Sequence, residues 1–142
     1  MRTFLKVAAV LMLSFGAYYL LMGLSAIMAS GEIGLVAQSV DETIDPVLAA
    51  QATVQLGIVM MVIGTLEGLA GLFGLLGGKR RGLLIASLAI AGVMLVANLV
   101  TLATSPFEWM YLVELAMPVL LLAAGIAVLR MGPEDQRPKL LR

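Results

Sequence analysis

Hydrophobic residues along the chain gather into four long runs that are separated by short polar segments. A helix with about 20 consecutive apolar residues is long enough to cross the hydrocarbon core of a bilayer. The four runs predict helices at about residues 5–29, 47–77, 83–103 and 107–130. The expected fold class is therefore an all-α integral membrane protein, in which four transmembrane helices form an antiparallel bundle and residues 1–142 make one domain.

The first run could also be read as a secretory signal peptide, because it follows a short basic lead that contains Arg2 and Lys6. The apolar core of a signal peptide has about 7–15 residues, and this run is longer. In addition, Ile27 stands where a cleavage site after Ala29 would need a small residue. We therefore expect the first helix to be retained in the membrane.

Residues 30–46 are the longest polar segment between two runs, and we expect them to form an acidic outer loop. The charged residues of this segment are all acidic, namely Glu32, Asp41, Glu42 and Asp45. Its scattered apolar residues fit a short turn of interfacial helix as well as they fit a loose connector. Asp45 followed by Pro46 predicts a helix start, because aspartate caps free amides and proline suits the first turn.

The positive charges predict the orientation of the chain. All nine Lys and Arg fall on one side of a four-span path: in the N-terminal lead, in the turn at residues 79–81, at Arg130 and in a basic tail at residues 131–142. Basic residues are enriched in cytoplasmic segments of membrane proteins. We expect a multi-pass protein of the cell membrane with both termini in the cytoplasm.

Composition excludes several kinds of function. The chain is 61% hydrophobic and 13% charged, whereas soluble domains carry about 25% charged residues. It contains no Cys and no His, which excludes thiolate catalysis and removes the commonest ligands of haem and metals. No nucleophile–base pair or phosphate-binding loop occurs. We expect no enzyme activity, cofactor or metal site, and the net charge of zero gives no reason to expect nucleic acid.

Glycines mark one face of each of the first two helices. In the second helix they recur every seven residues, and in the first helix two glycines show the same spacing. The predicted packing residues are Gly57, Gly64, Gly68 and Gly71 in the second helix, and Gly16 and Gly23 in the first. Small residues let helix backbones approach closely in lipid. The repeat therefore predicts tight helix packing, either within one chain or between chains.

Glu67 is the first candidate for chemistry, because it is the one carboxylate inside the apolar run of the second helix. A charge near the bilayer centre costs at least roughly 2.5–3.5 kcal/mol and normally faces protein or water. Desolvation favours the neutral, protonated carboxyl. Glu67 is thus either a proton-binding or cation-binding group of a transporter, or a structural carboxyl that is hydrogen-bonded to a neighbouring helix.

Glu114 in the fourth helix and Asn98 in the third helix form the second candidate. Both are expected at a similar depth, so that a hydrogen bond between them is available. We predict a structural polar clamp there, with a water-linked relay to Glu67 as the alternative. The two glutamates differ in depth by on the order of 10 Å at 1.5 Å per residue, so a direct carboxylate pair is not expected.

The sequence favours a small non-enzymatic tetraspan protein that is an accessory or assembly subunit, or a self-associating membrane component. The alternative is a small oligomeric proton-coupled transporter or channel in which Glu67 titrates. The expected partners are the lipid bilayer and either further copies of this chain or other membrane protein subunits. The acidic outer segment and the basic tail are the expected docking places.

Overall fold

The structure is a computed structural model that describes residues 2–77, 80–104 and 109–131. Every regular element in these ranges is an α-helix: α1 (Arg2–Val40), α2 (Pro46–Gly77), α3 (Arg81–Thr104) and α4 (Trp109–Arg130). Each helix contains a stretch that is long and apolar enough to cross a membrane, which in α4 is Tyr111–Arg130. This confirms the prediction of an all-helical chain with four such helices. Most of the predicted basic tail, part of the basic turn and residues 107–108 lie outside the described residues.

Helix α1 is longer than the apolar run that predicts it. The expected end was near residue 29, but the helix continues through the polar segment to Val40, so that residues 30–40 are helical. One reason is a contact with the start of α2, because a Cβ atom on Gly34 would overlap the carbonyl oxygen of Pro46. Packing of this kind stabilises a helix even where the residues on its outer face are polar.

A short turn joins α1 to α2. The Asp41 amide donates to the Ala37 carbonyl oxygen at 3.0 Å, and the Ile44 amide donates to the Asp41 carbonyl oxygen at the same distance. The Thr43 hydroxyl (2.7 Å) and the Thr43 amide (2.9 Å) both donate to Asp41 Oδ1. These two bonds hold the pKa of Asp41 below its usual value, and the bond from the hydroxyl has the larger effect.

Helix α2 begins at Pro46, as the Asp45-Pro46 pair predicts. Oδ1 of Asp45 accepts a hydrogen bond from the Val47 amide at 2.8 Å. A carboxylate in this position satisfies one of the amides that have no partner in the first turn, and proline has no amide there to satisfy.

The chain divides into two compact units, and the expectation of one domain stays a prediction. The first consists of Met1–Leu13 and Leu69–Arg142, and the second is Ser14–Gly68. The first unit therefore contains the beginning of α1, the end of α2, and all of α3 and α4. The second contains the remainder of α1 and α2 with the turn between them.

The core of the first unit is centred on Gly74 of α2. A Cβ atom on this glycine would lie 3.1 Å from Ala9 Cβ of α1, 3.2 Å from Leu121 Cδ1 of α4 and 3.2 Å from Ser87 Oγ of α3. The buried residues of α3 follow a spacing of three and four, and they are Leu84, Ser87, Ala91 and Met94. Residues at this spacing form one face of a helix, which here packs into the core.

The second unit contains only two helices, so each has an outer face without a protein neighbour within the unit. Many large apolar side chains of this unit are exposed, among them Leu21, Met28, Leu35, Val47, Leu56 and Val62. Exposed apolar surface of this extent is typical of proteins that contact lipid or a partner.

Candidate functional site

The interface between α1 and α2 in the second unit is made by backbone contacts at glycine. A Cβ atom on Gly64 would lie 2.7 Å from the Gly16 carbonyl oxygen, and a Cβ on Gly16 would lie 2.7 Å from the Gly64 carbonyl oxygen. Gly57 and Gly23 form a second reciprocal pair, at 2.7 and 2.6 Å. Real Cβ atoms essentially never show such distances, so only glycine fits at these four positions with the helices this close.

The first unit contains a backbone contact of the same kind. A Cβ atom on Gly71 would lie 2.6 Å from both the carbonyl oxygen of Ala9 and the amide nitrogen of Leu13. Within the second unit, Gly16 and Gly23 are seven residues apart in α1, and their partners Gly64 and Gly57 are seven residues apart in α2. The sequence left open whether the repeat packs within one chain or between chains, and the structure places these contacts within one chain.

Gly68 differs from the other predicted packing glycines. A Cβ atom added there would meet no heavy atom of the described residues within 4 Å. Its backbone nevertheless belongs to the interface, because a Cβ on Gly16 would lie 2.5 Å from the Gly68 amide nitrogen. The Cα–Cβ direction of Gly68 points away from α1, so the absent side chain of Gly68 does not itself permit the close approach.

Glu67 is buried in the second unit, with 2% of its surface exposed. It follows Gly64 by three residues and precedes Ala70 and Gly74 by three and seven, which places it on one side of α2 with them. Its Oε2 atom is buried and forms no hydrogen bond within the described part of the chain, although the residue takes part in another interaction. Burying a carboxyl in an apolar helix is costly unless protein or water satisfies its polar atoms.

Asn98 and Glu114 are brought together in the first unit. Nδ2 of Asn98 donates a hydrogen bond of 3.0 Å to the backbone carbonyl oxygen of Glu114. The reason lies four residues further on, where the helix contains Pro118. Proline has no amide, so it cannot supply the donor that an α-helix normally provides to the carbonyl four residues earlier. The Asn98 side chain from α3 provides a donor in its place.

Ser87 forms a second hydrogen bond between helices, which sequence reasoning did not assign. Its hydroxyl is fully buried and donates to the Ala70 carbonyl oxygen of α2 at 2.7 Å. Ser87 and Asn98 are eleven residues apart, close to three turns, so both lie on one side of α3. This spacing of two polar residues in an apolar helix is the signal that could have identified both.

An open groove lies between α1 and α2 at the end of the second unit that contains the turn. It has a volume of about 900 Å³, and its walls are mainly apolar, with contributions from Met28, Leu35 and Val47. Glu32 is the one charged residue among the described residues of this lining. Gln51 and Gln55 also reach the groove, which gives it a mixed apolar and polar surface.

The candidate residues thus fall into separate groups. Asn98 and Glu114 share a hydrogen bond in the first unit, whereas Glu67 belongs to the second. No group of three or more His, Cys, Asp or Glu side chains that could hold a metal ion occurs in the described ranges. A search of protein-family models, of curated proteins and of solved structures gives no match to this chain.

Proposed function

We propose that this chain is a non-enzymatic, multi-pass membrane protein that acts as an accessory or assembly subunit for another membrane protein. In this proposal the four helices cross the membrane antiparallel to one another, with both termini in the cytoplasm. Support comes from the four apolar helices and from the nine basic residues, which all fall on one side of such a path.

The observation that best supports a role as an accessory or assembly subunit is the groove between α1 and α2. Helix α1 has 39 residues, which at 1.5 Å per residue make about 58 Å, and the hydrocarbon core is about 30 Å thick. If Lys6 lies at the cytoplasmic boundary, the hydrocarbon ends about 20 residues later. The groove, which begins at Met28, then lies at or beyond the outer boundary. The glycine contacts hold its two walls at a fixed separation.

Charge indicates the kind of partner. Glu32 lines the groove, and Asp41, Glu42 and Asp45 lie in or beside the turn next to it. Residues 7–78 contain no Lys or Arg, so a second copy seated in this groove would oppose acidic residues with acidic residues. The expected occupant is therefore a partner subunit that presents an apolar helix with Lys or Arg near the outer membrane boundary.

Photo-crosslinking in intact membranes tests this assignment. A photoreactive amino acid replaces Leu35, which lines the groove, or Val36, which lies at the same depth but outside the lining. We expect an adduct with a partner protein from position 35 and none from position 36. Glu32→Lys should remove that adduct, whereas Glu42→Lys, the same charge change outside the groove, should leave it.

Two results would contradict the proposal. An adduct of twice the mass of this chain would assign the groove to self-association. Lipid adducts alone at both positions, in membranes of the native host, would mean that no subunit occupies the groove.

The second candidate function is proton-coupled transport in an oligomer, and the burial of Glu67 favours it. An ionisable side chain inside a membrane span commonly marks an ion path. Infrared spectroscopy of the lipid-reconstituted protein can detect the protonated carboxyl, with Glu67→Gln to identify the band. A band that titrates between about pH 6 and 9 means that water reaches the carboxyl, which supports transport.

The structural interpretation of Glu67 makes the opposite prediction. The band should stay constant over the same pH range, Glu67→Gln should be tolerated because the amide keeps hydrogen-bonding capacity, and Glu67→Leu should loosen the packing. Loss of proton flux in a fully folded Glu67→Gln variant would establish transport instead.

A further inference from the structure

A second cavity lies in the first unit, where the beginning of α1 meets the end of α2. Its volume is about 380 Å³. Helix α1 contributes Arg2, Thr3, Leu5 and Lys6 to the walls, and helix α2 contributes the backbone at Gly74 together with Leu75 and Leu76. Two cationic side chains and one hydroxyl thus stand beside three leucines. We refer to this cavity as the basic crevice.

Such a lining fits an amphiphile with a negatively charged head. Guanidinium and ammonium groups bind phosphate oxygens by charge-assisted hydrogen bonds, and a threonine hydroxyl can add another. Leucine side chains have no polar atoms to offer and would contact hydrocarbon. Among the described residues, no acidic one lines the basic crevice, so no described side chain there repels an anion.

We propose that the basic crevice binds one anionic phospholipid, with its phosphate-bearing headgroup between Arg2 and Lys6 and the first methylenes of an acyl chain against Leu75 and Leu76. The inference rests on the membrane insertion proposed above. It does not depend on a partner subunit in the groove.

The charge of the surrounding unit supports the same assignment. Among its described residues, the basic ones are Arg2, Lys6, Arg80, Arg81 and Arg130, and the acidic one is Glu114. In the proposed orientation these cations lie on the cytoplasmic side, where the leaflet carries anionic lipid. A basic residue near such a surface strengthens binding roughly fivefold.

A lipid source explains the lining better than a free anion does. The side chains of Arg2 and Lys6 are exposed, and exposed charges attract a soluble phosphate only weakly in water with salt. The apolar wall contributes to affinity only if the ligand carries an acyl chain. Free phosphate should therefore compete poorly with phosphatidylglycerol.

The test measures lipid binding by the full-length chain. Native mass spectrometry of the protein in a neutral detergent, titrated with phosphatidylglycerol or phosphatidylcholine, counts bound lipids and gives the affinity of the first one. The test variant combines Arg2→Gln with Lys6→Gln. The matched control combines Arg81→Gln with Arg130→Gln, which removes the same charge from the same unit outside the crevice lining.

We expect the first phosphatidylglycerol to bind the wild-type chain at least tenfold more tightly than phosphatidylcholine. Two lost cations should weaken that binding by roughly 25-fold in the test variant, while the control variant should change it less than about threefold. Leu75→Ser should also weaken it, and Arg2→Lys with Lys6→Arg should preserve it. Circular dichroism verifies that each variant keeps the wild-type helicity.

Three results would overturn the proposal. Equal losses in the test and control variants would mean diffuse surface charge rather than a site. Complete competition by millimolar inorganic phosphate would identify a soluble anion as the ligand and exclude the lipid. No preference for phosphatidylglycerol in the wild-type chain would show that the crevice binds no anionic head. The crosslinking experiment at Leu35 tests the partner proposal in the other unit. A failure of that proposal can therefore be distinguished from a failure of lipid binding in the basic crevice.

Discussion

Replacing Gly64 by alanine should separate α1 from α2 locally, and Gly68→Ala is its matched control. The new methyl group at position 64 would lie 2.7 Å from the Gly16 carbonyl oxygen and 2.8 Å from the Leu20 amide nitrogen. Both are backbone atoms, so no side chain can rotate away. The same methyl group at position 68, one turn further along α2, would meet no heavy atom within 4 Å in the part of the chain that the structure describes.

The size of the effect follows from these distances. Moving from 2.7 Å to an ordinary contact of 3.4 Å requires about 0.7 Å of local separation between the helices. A gap of 0.5–1 Å forfeits roughly a quarter to a half of the dispersion energy of the atoms that it separates. Overpacking of this kind costs about 1–3 kcal/mol. The helix-propensity gain of Gly→Ala, roughly 1 kcal/mol, is common to both variants and cancels in their difference.

Steric trapping measures the difference under native conditions. The chain has no cysteine, so cysteines introduced at Thr3 and Leu76 can each carry a biotin. These exposed positions line one crevice in the folded chain, which allows only one streptavidin to bind until the helices separate. We expect Gly68→Ala to match or exceed the wild-type stability and Gly64→Ala to fall about 1–3 kcal/mol below Gly68→Ala. Equal stabilities for the two variants would refute the backbone contact at Gly64.

Two further predictions concern local hydrogen bonds. Asn98→Ala should destabilise the chain by about 0.5–2 kcal/mol. Adding Pro118→Ala should recover much of that loss, because residue 118 then has an amide that can donate to the Glu114 carbonyl oxygen. Additive losses in the double variant would exclude the coupling between Asn98 and Pro118. Thr43→Val should raise the pKa of Asp41 toward the ordinary value in an NMR titration. Because folding lowers the pKa of Asp41, the bonds from Thr43 should stabilise the turn at a pH above the ordinary aspartate pKa. This stabilisation should be lost as the pH falls through the pKa of Asp41 in the folded chain. An unchanged pKa of Asp41 in Thr43→Val would contradict the attribution of the lowered pKa to Thr43.

Within the described residues, the sequence alone predicted those helices and helix starts that are determined by residues close together in the chain. Four apolar runs determine four helices, because the length and the hydrophobicity of a run are visible in the residues themselves. The start of α2 was predictable for the same reason, since Asp45 and Pro46 act on the amides next to them. The seven-residue glycine repeat indicated close packing and the face of α2 that it would use.

The end of α1 and the role of Gly68 needed the tertiary structure. A polar outer face at residues 30–40 looks like a loop as long as the contact between Gly34 and Pro46 is unknown. Gly68 resembles Gly64 in sequence, but the direction of its Cα–Cβ bond relative to α1 depends on how the two helices pack. A hydrogen bond between Asn98 and Glu114 was expected without its atoms. The structure shows that Asn98 donates to the backbone carbonyl oxygen of Glu114, for which Pro118 has no amide.

The sequence could not predict which apolar side chains of the four helices are buried and which are exposed. Leu84 is 2% exposed and the adjacent Ile85 is 53% exposed, although both are branched aliphatic residues of similar hydrophobicity. In a soluble protein the outer face of a helix is polar, and the alternation identifies the core. In helices that are apolar on all sides this contrast is lost. Only small and polar residues then mark an interface, and which backbone they meet is decided by packing between segments that are distant in the sequence.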